Sequence, residues 1–262
     1  MASTPTGTQD APNPAPTGPK KSKWVKYLGS FALGGAILAI VIAFVALTLA
    51  RYDMVDKITG FFGFVMMLNP ARALAVIAAI ALVLSFIVKS GPRWQAIGGL
   101  VLSGALLLTI YTQVIIPGGE AKPIHDITTD MDDTPQFVVL DRPETSTGPF
   151  SIEEWRAFHT SAYSHIAPIV IDKSPVDVLA DARALVEERG WEIALVDPAT
   201  GHLEATATAG YLRFYDDVIV EVTPIEDGSS RVDMRSVSQV GVSDLGYNAK
   251  RIEAFLADLA AI

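Results

Sequence analysis

The sequence predicts an α+β fold: an antiparallel sheet of about four strands with helices packed on one face, preceded by three transmembrane α-helices. Three features carry this expectation. Apolar runs long enough to cross a bilayer occur only in the first half of the chain. The second half holds capped amphipathic helices, then a run of strands of period two, then a closing helix. Turn-rich connectors separate those strands, which favours antiparallel pairing.

Half of the 262 residues are hydrophobic and mean hydropathy is +0.35. The apolar content is concentrated before residue 117, as expected of membrane spans rather than one large core. Residues 117–262 carry 26 acids against 11 Lys and Arg, whereas residues 1–116 carry 3 acids against 9. So acidic a second half is a poor match for nucleic acid or anionic headgroups. The chain has no cysteine, which excludes disulfides, thiolate metal sites and cysteine nucleophiles.

Residues 1–23 are rich in Pro, Thr, Gly and Ala and are expected to form a disordered tail. The transmembrane region is placed at 24–116, with spans at about 28–50, 70–88 and 96–116. The first is a charge-free run of 23 residues, too long for the core of a signal peptide. The apolar piece 60–68 either lies at the interface or lengthens the second crossing. Asn69 and Pro70 read as an N-cap followed by proline at the first helical position. Gly34, Gly35, Gly98 and Gly99 are expected to let helices approach closely. Within the runs only Arg72, at a helix end, is ionisable, so an anchor is expected rather than a transporter.

Lys20, Lys21, Lys23 and Lys26 before the first span, with Lys89 and Arg93 after the second, assign both flanks to the cytoplasm. The expected location is a bacterial cytoplasmic membrane, N-terminus inside, with a periplasmic domain at 117–262.

In that domain Ser151 and Glu154 have the spacing of a capping box. Ser174 and Pro175 read as N-cap and first helical position of a helix that Gly190 ends. Val176, Leu179, Ala180, Leu185 and Val186 are expected to make its buried stripe, imperfectly spaced. Strands are expected at 191–197, 202–209, 211–224 and 231–240. Ile252, Phe255, Leu256 and Leu259 mark an amphipathic closing helix.

Along the strands Leu203, Ala205, Ala207, Val218, Val220, Val222, Val232 and Met234 share one face. Glu204, Thr206, Asp217, Glu221, Arg231, Asp233 and Arg235 share the other. That polar face is either solvated, with cross-strand charge pairs, or the wall of a cleft roofed by residues 123–130 or 241–248.

Candidate ligand-binding residues fall in three segments. "PIHDITTD", residues 123–130, offers His125, Asp126 and Asp130. No second histidine stands at metal-ligand spacing, so neither metal nor cofactor is expected. The structural alternative is that Asp126, Thr128 and Thr129 bond local backbone in Asx or ST turns. Asp216 and Asp217 point to opposite faces of one strand, Asp217 towards Arg231 and Arg235, and Asp216 towards Arg251 of the closing helix. The third segment, "RSVSQVGVSDLGYNAKR", gathers Asp244, Asn248 and Arg251 before a helix N-terminus. Its "GVSDLG" departs from a nucleophile elbow and has no histidine nearby, whereas Ser243, Asp244 or Asn248 suits a helix cap.

The phrases "HDITTD", "LEATAT", "RFYDDVIVEV", "VDMRSVSQVGVSDLGYNAKRI" and "AFLADL", in that order, resemble the DUF1499 family, a domain of unknown function found in bacteria and plant chloroplasts. The resemblance runs from about residue 123 to the C-terminus and implies no activity. This chain has Gln239 where the family often has arginine, and "AYSH" at 162–165 where it usually has a tyrosine–proline pair. The expected function is a membrane-anchored extracytoplasmic binding or interaction module of the bacterial envelope. Its partners are the lipid bilayer and either an envelope protein or a small ligand. The alternative is an envelope hydrolase using His125 with Asp126 or Asp130.

Overall fold

A computed structural model describes residues 23–89, 93–226 and 228–262. The tail expected at 1–23 lies outside the described residues except for Lys23, as do residues 90–92 of the second turn.

Three helical stretches, Lys23–Arg51, Lys57–Ile87 and Trp94–Glu120, are long and apolar enough to cross a membrane. They comprise α1 (Lys23–Arg51), α2 (Lys57–Val65), α3 (Leu68–Ile87), α4 (Trp94–Ile110), a π-helical turn (Tyr111–Ile115) and α5 (Ile116–Glu120). Residues 57–65 are helical and lengthen the second stretch, packed on the end of α1. Contact there is so close that a Cβ on Gly60 would stand 2.2 Å from the Ala50 Cβ. At Gly99 a Cβ would meet the Ala32 carbonyl carbon at 3.0 Å, so α4 also lies directly against α1. Gly34, by contrast, has nothing near it.

Asn69 is not the N-cap. The helix α3 starts at Leu68 after a short turn from α2, the Ala71 amide donates to the Met67 carbonyl, and Asn69 Oδ1 accepts from Arg72. Pro70 is tolerated in this first turn because its missing N–H would have had no intrahelical partner. The buried Lys57 Nζ donates to the carbonyls of Ala50 (2.9 Å) and Arg51 (3.4 Å), satisfying the C-terminus of α1.

The rest of the chain forms β1 (Asp126–Thr128), α6 (Ile152–Tyr163), β2 (Ile169–Ile171), α7 (Pro175–Glu188), β3 (Glu192–Asp197), β4 (His202–Ala209), β5 (Phe214–Pro224), β6 (Ser230–Ser238) and α8 (Tyr247–Ala261). Every pairing is antiparallel, in the order β1-β6-β5-β4-β3, with β2 also on β6. The four expected strands are the long ones. The two unexpected strands, each of three residues, line one edge of β6: Asp126 pairs Val237 and Ile169 pairs Val232. Three residues are too few to display a period.

The capping box at Ser151 and Glu154 forms, and Ser174 caps α7 with Pro175 following. Beyond α7, Gly190 turns the chain at φ +67. The buried stripe of α7 is Val178, Leu179, Ala182, Leu185 and Val186, while Val176 and Ala180 are exposed. Steps of three and four residues from Val178 keep one face, and Val176 falls outside it. With Ile252, Phe255, Leu256 and Leu259 of α8, this stripe packs on Leu203, Ala205, Ala207, Val218, Val220, Val222, Val232 and Met234 in one core.

The opposite face of the sheet is not solvated. Glu204, Asp217, Ile219, Arg235 and Val237 are at most 1% exposed. A strap, residues 135–146, crosses over them and bonds to them.

Candidate functional site

Beneath the strap, Asp126 and Arg235 are fully buried and share two parallel bonds, Nε to Oδ1 at 2.9 Å and Nη2 to Oδ2 at 2.8 Å. This bidentate geometry is the strongest arrangement for such a pair. Arg235 also donates to the Pro135 and Pro143 carbonyls, each at 3.0 Å, and Asp126 Oδ2 accepts the Ser146 amide at 2.6 Å. Glu204 accepts the consecutive amides of Val138, Val139 and Leu140 and a bond from His202. Burial pushes the Glu204 carboxyl up, but the Leu140 and Val138 amides, His202 and the Val139 amide outweigh it and hold it below its ordinary value.

Asp217 does not meet Arg231 or Arg235. Across the ladder Asp217 faces Val237, whereas Arg235 faces Ile219 and Arg231 faces Thr223. The cation for Asp217 comes instead from Arg142 of the strap, at 2.5 Å, with Thr206 at 2.8 Å and Gln239 at 3.0 Å. Arg231 pairs with Asp130 (2.6 Å) and Asp233 (2.9 Å). The polar face is thus an anchorage for the strap, with each buried acid partnered.

Around residues 123–130, the local turns expected of Asp126 and Thr129 do not form, because Asp126 bonds Arg235 and the Ser146 amide and Thr129 Oγ1 donates to Asp233. The Asx turn belongs to Asp130, whose Oδ1 accepts the amides of Asp132 and Asp133. The Asp133 amide first, then Arg231 and the Asp132 amide, hold that carboxyl below its ordinary value. Thr128 Oγ1 bonds the Asp130 backbone, an ST turn. His125 is buried, its Nε2 lies 2.8 Å from Ser146 Oγ, and its Nδ1 has no partner. Ser146 was not foreseen, because nothing in "ETSTG" separates it from its neighbours before the strap folds back.

The third segment lies at the end of the sheet that faces the helices. Asn248, fully buried, donates to the His125 carbonyl (2.8 Å) and Ser238 Oγ (2.9 Å) and accepts from Ser236 and Arg251. Arg251 reaches Asp216 at 2.5 Å, as the strand parity implied. Asp244 accepts the amides of Gly246 (2.9 Å) and Asn248 (2.5 Å), capping the first turn of α8. Ser243 Oγ instead donates to the Lys122 carbonyl at 3.2 Å and accepts the Leu245 amide.

Between this end of the domain and the helices is a cavity of about 480 Å³. Leu47, Phe61, Phe64 and Val114 form one wall, and Leu212, Phe214, Leu245 and Tyr247 form the other. Asp216, Ser238 and Asp244 line it on the domain side. Burial raises the Asp244 carboxyl above its ordinary value. The wall pieces touch where the Phe61 and Phe214 rings meet edge-on at 6.5 Å and where Arg51 Nη1 donates to the Tyr211 carbonyl at 2.5 Å. Of the non-glycine residues with positive φ, Leu245 at 57° lines the cavity and Arg213 at 55° stands between the lining residues Leu212 and Phe214, while Asp53 and Lys89 lie outside its lining.

Residues 126–259 match the model of a family described as protein of unknown function, DUF1499. The chain belongs to this family. No curated protein matches the chain.

The DUF1499 domain therefore runs from β1 into α8, and it contains the strap and the domain wall of the cavity. Gln239 donates to Asp217 at 3.0 Å, and Arg142 supplies the positive charge there. Of the residues singled out in the sequence, Asp244 lines the cavity, with Asn248 and Arg251 bonded behind it. Asp126, Asp217 and Arg235 are bound to the strap, as is His125 through Ser146. Asp130 and Arg231 pair with each other, away from the cavity. Among the described residues no group of three or more His, Asp or Glu is arranged to hold a metal ion. The helix side of the cavity was missed because its only mark in the sequence is hydrophobicity, which every span shares.

Proposed function

We propose that this chain is a membrane-anchored extracytoplasmic binding module that takes a small, largely apolar ligand from the bilayer into the junction cavity. The cavity carries this reading. At about 480 Å³, with two apolar walls, it falls in the ligand-pocket range of roughly 300–1,000 Å³. Thr109 stands 15 residues beyond Trp94, so it lies roughly 22 Å along the helix, inside a hydrocarbon core about 30 Å thick. Thr109 and Gln113 line the cavity and are exposed, which turns that side towards lipid. Lysines before α1, with Lys89 and Arg93 after α3, support a cytoplasmic N-terminus and an extracytoplasmic domain in a bacterial cytoplasmic membrane.

The test is a diazirine-bearing acyl probe photolysed in proteoliposomes of the full chain, with the adducts mapped by peptide. Adducts concentrated at residues 209–214 and 238–247, and lost in Leu212→Trp and Val114→Trp, are expected. Adducts spread evenly along the outer helix faces, unchanged in both variants, would refute the cavity as the site.

A hydrolase is the second reading, and one contact favours it: Ser146 Oγ is within hydrogen-bond reach of His125 Nε2 at 2.8 Å. Asp126 and Asp130 do not orient that histidine, for both are held by arginines and His125 Nδ1 is without a partner. Labelling of the full chain by a fluorophosphonate, abolished in Ser146→Ala, supports the hydrolase; no labelling removes it.

A further inference from the structure

We propose that the cavity selects an amphiphile with a cationic, ammonium-type head, held by Asp244 while the tail lies between the apolar walls. This rests on the junction cavity being the binding site. Asp216 and Asp244 are the charged residues that line it, and they differ in what surrounds them. Arg251 neutralises Asp216 at 2.5 Å. Asp244 receives two backbone amides, one on each oxygen, and no Lys or Arg among the described residues pairs with it. A carboxylate has about four lone-pair sites, so about two remain open on Asp244. An anion in an apolar enclosure without a counter-charge is unfavourable until a cation or donor reaches it. The rise that burial imposes on the Asp244 carboxyl is the same cost seen from the proton's side.

The neighbouring groups agree with a positive head. Ser238 Oγ accepts from Asn248 and keeps its own hydroxyl and a lone pair for a second polar atom. Tyr247, also in the wall, offers an aromatic face that a cation favours. An anionic head would instead meet the uncompensated Asp244, in a domain that already carries 26 acids against 11 Lys and Arg. Behind the head, Phe61, Phe64, Val114 and Leu212 supply the surface that an acyl chain buries.

Three amphiphiles with the same dodecyl tail separate head from tail: dodecylamine, dodecanol and dodecanoate. Each is titrated against the bound diazirine probe on the full chain in phosphatidylcholine nanodiscs, with concentrations expressed as mole fraction in the bilayer. Dodecylamine is expected to displace the probe at a concentration lower than dodecanoate by about 10-fold or more, as a charge-assisted bond provides. In Asp244→Asn that preference is expected to vanish while all three still displace. The ranking in the unsubstituted protein decides alone should the variant misfold. Equal displacement by the three heads, or a preference that survives Asp244→Asn in folded protein, overturns the head assignment and leaves the cavity standing. No displacement by any of them overturns both.

Discussion

Substituting Arg235 by methionine isolates the bond that ties the strap to the sheet. The change removes both bonds to Asp126 and the donors to the Pro135 and Pro143 carbonyls, yet keeps an unbranched chain in the same tunnel. Asp126 is then left fully buried with the Ser146 amide as its remaining side-chain bond. Breaking a buried ion pair from one side costs about 3–5 kcal/mol, against a typical total of about 5–15 kcal/mol. At about 2–4 °C per kcal/mol for a domain of this size, the melting temperature should fall by about 6–20 °C. Trp155 and Trp191 pack against the domain core, and with Trp24 and Trp94 of the helices replaced by phenylalanine they report the domain. The measurement is a fluorescence melt of the full chain in detergent. Removing both charges, as Asp126→Leu with Arg235→Met, should recover most of the loss. A single-variant shift under about 2 °C, or a double variant no better than the single, would refute the anchorage.

Three further outcomes follow from the same geometry. The Glu204 carboxyl is held below its ordinary value of 4.5, so its contribution is present above that pH and is lost as pH falls through the depressed value; amide exchange at Val138 to Leu140, corrected for intrinsic rate, should accelerate in acid, with a flatter profile in Glu204→Gln. Burial lowers the His159 pKa from 6.5, so the stability it contributes is present above 6.5 and lost as pH falls. His159→Gln, which retains an acceptor for the Thr128 amide, should flatten the melting temperature on that acid limb; an unchanged slope argues against it. Gly60→Val places a Cβ 2.2 Å from the Ala50 Cβ, so α2 must leave α1; a loss of about 1–3 kcal/mol is expected from overpacking, and a bundle melt identical to the parent would contradict the close contact.

Features with a local period were legible in the sequence, and those made by distant partners were not. The four long strands alternate over six or more residues, and α8 repeats its apolar positions over three turns, so both declare themselves in one window. On α7 the expected stripe took Val176 and Ala180 in place of Val178 and Ala182, which are chemically indistinguishable from them and differ only in the helix face they occupy. Parity placed Asp217 and Arg235 correctly on one face but could not supply their partners. Arg235 finds Asp126 at a separation of 109 residues, and Asp217 finds Arg142 at 75. A polar sheet face looks the same in sequence whether water or a polar strap lies over it.

That strap also narrows where the domain can bind. One face of the sheet carries α7 and α8, the other carries residues 135–146, and β1 and β2 occupy the free edge of β6. The end built from the β4–β5 turn and the β6–α8 loop stays open, and that end meets the helices. Leu47, Ile58, Phe61 and Phe64 of the helices complete a cavity that the domain lacks by itself. In the full chain, Phe61→Ala with Phe64→Ala would strip this wall, exposing Leu212, now 4% exposed, and Phe214, and leave the strap bonds untouched. This double variant should lose the dodecylamine preference outright. Binding that persists there with undiminished selectivity would move the site off the junction and onto the domain alone.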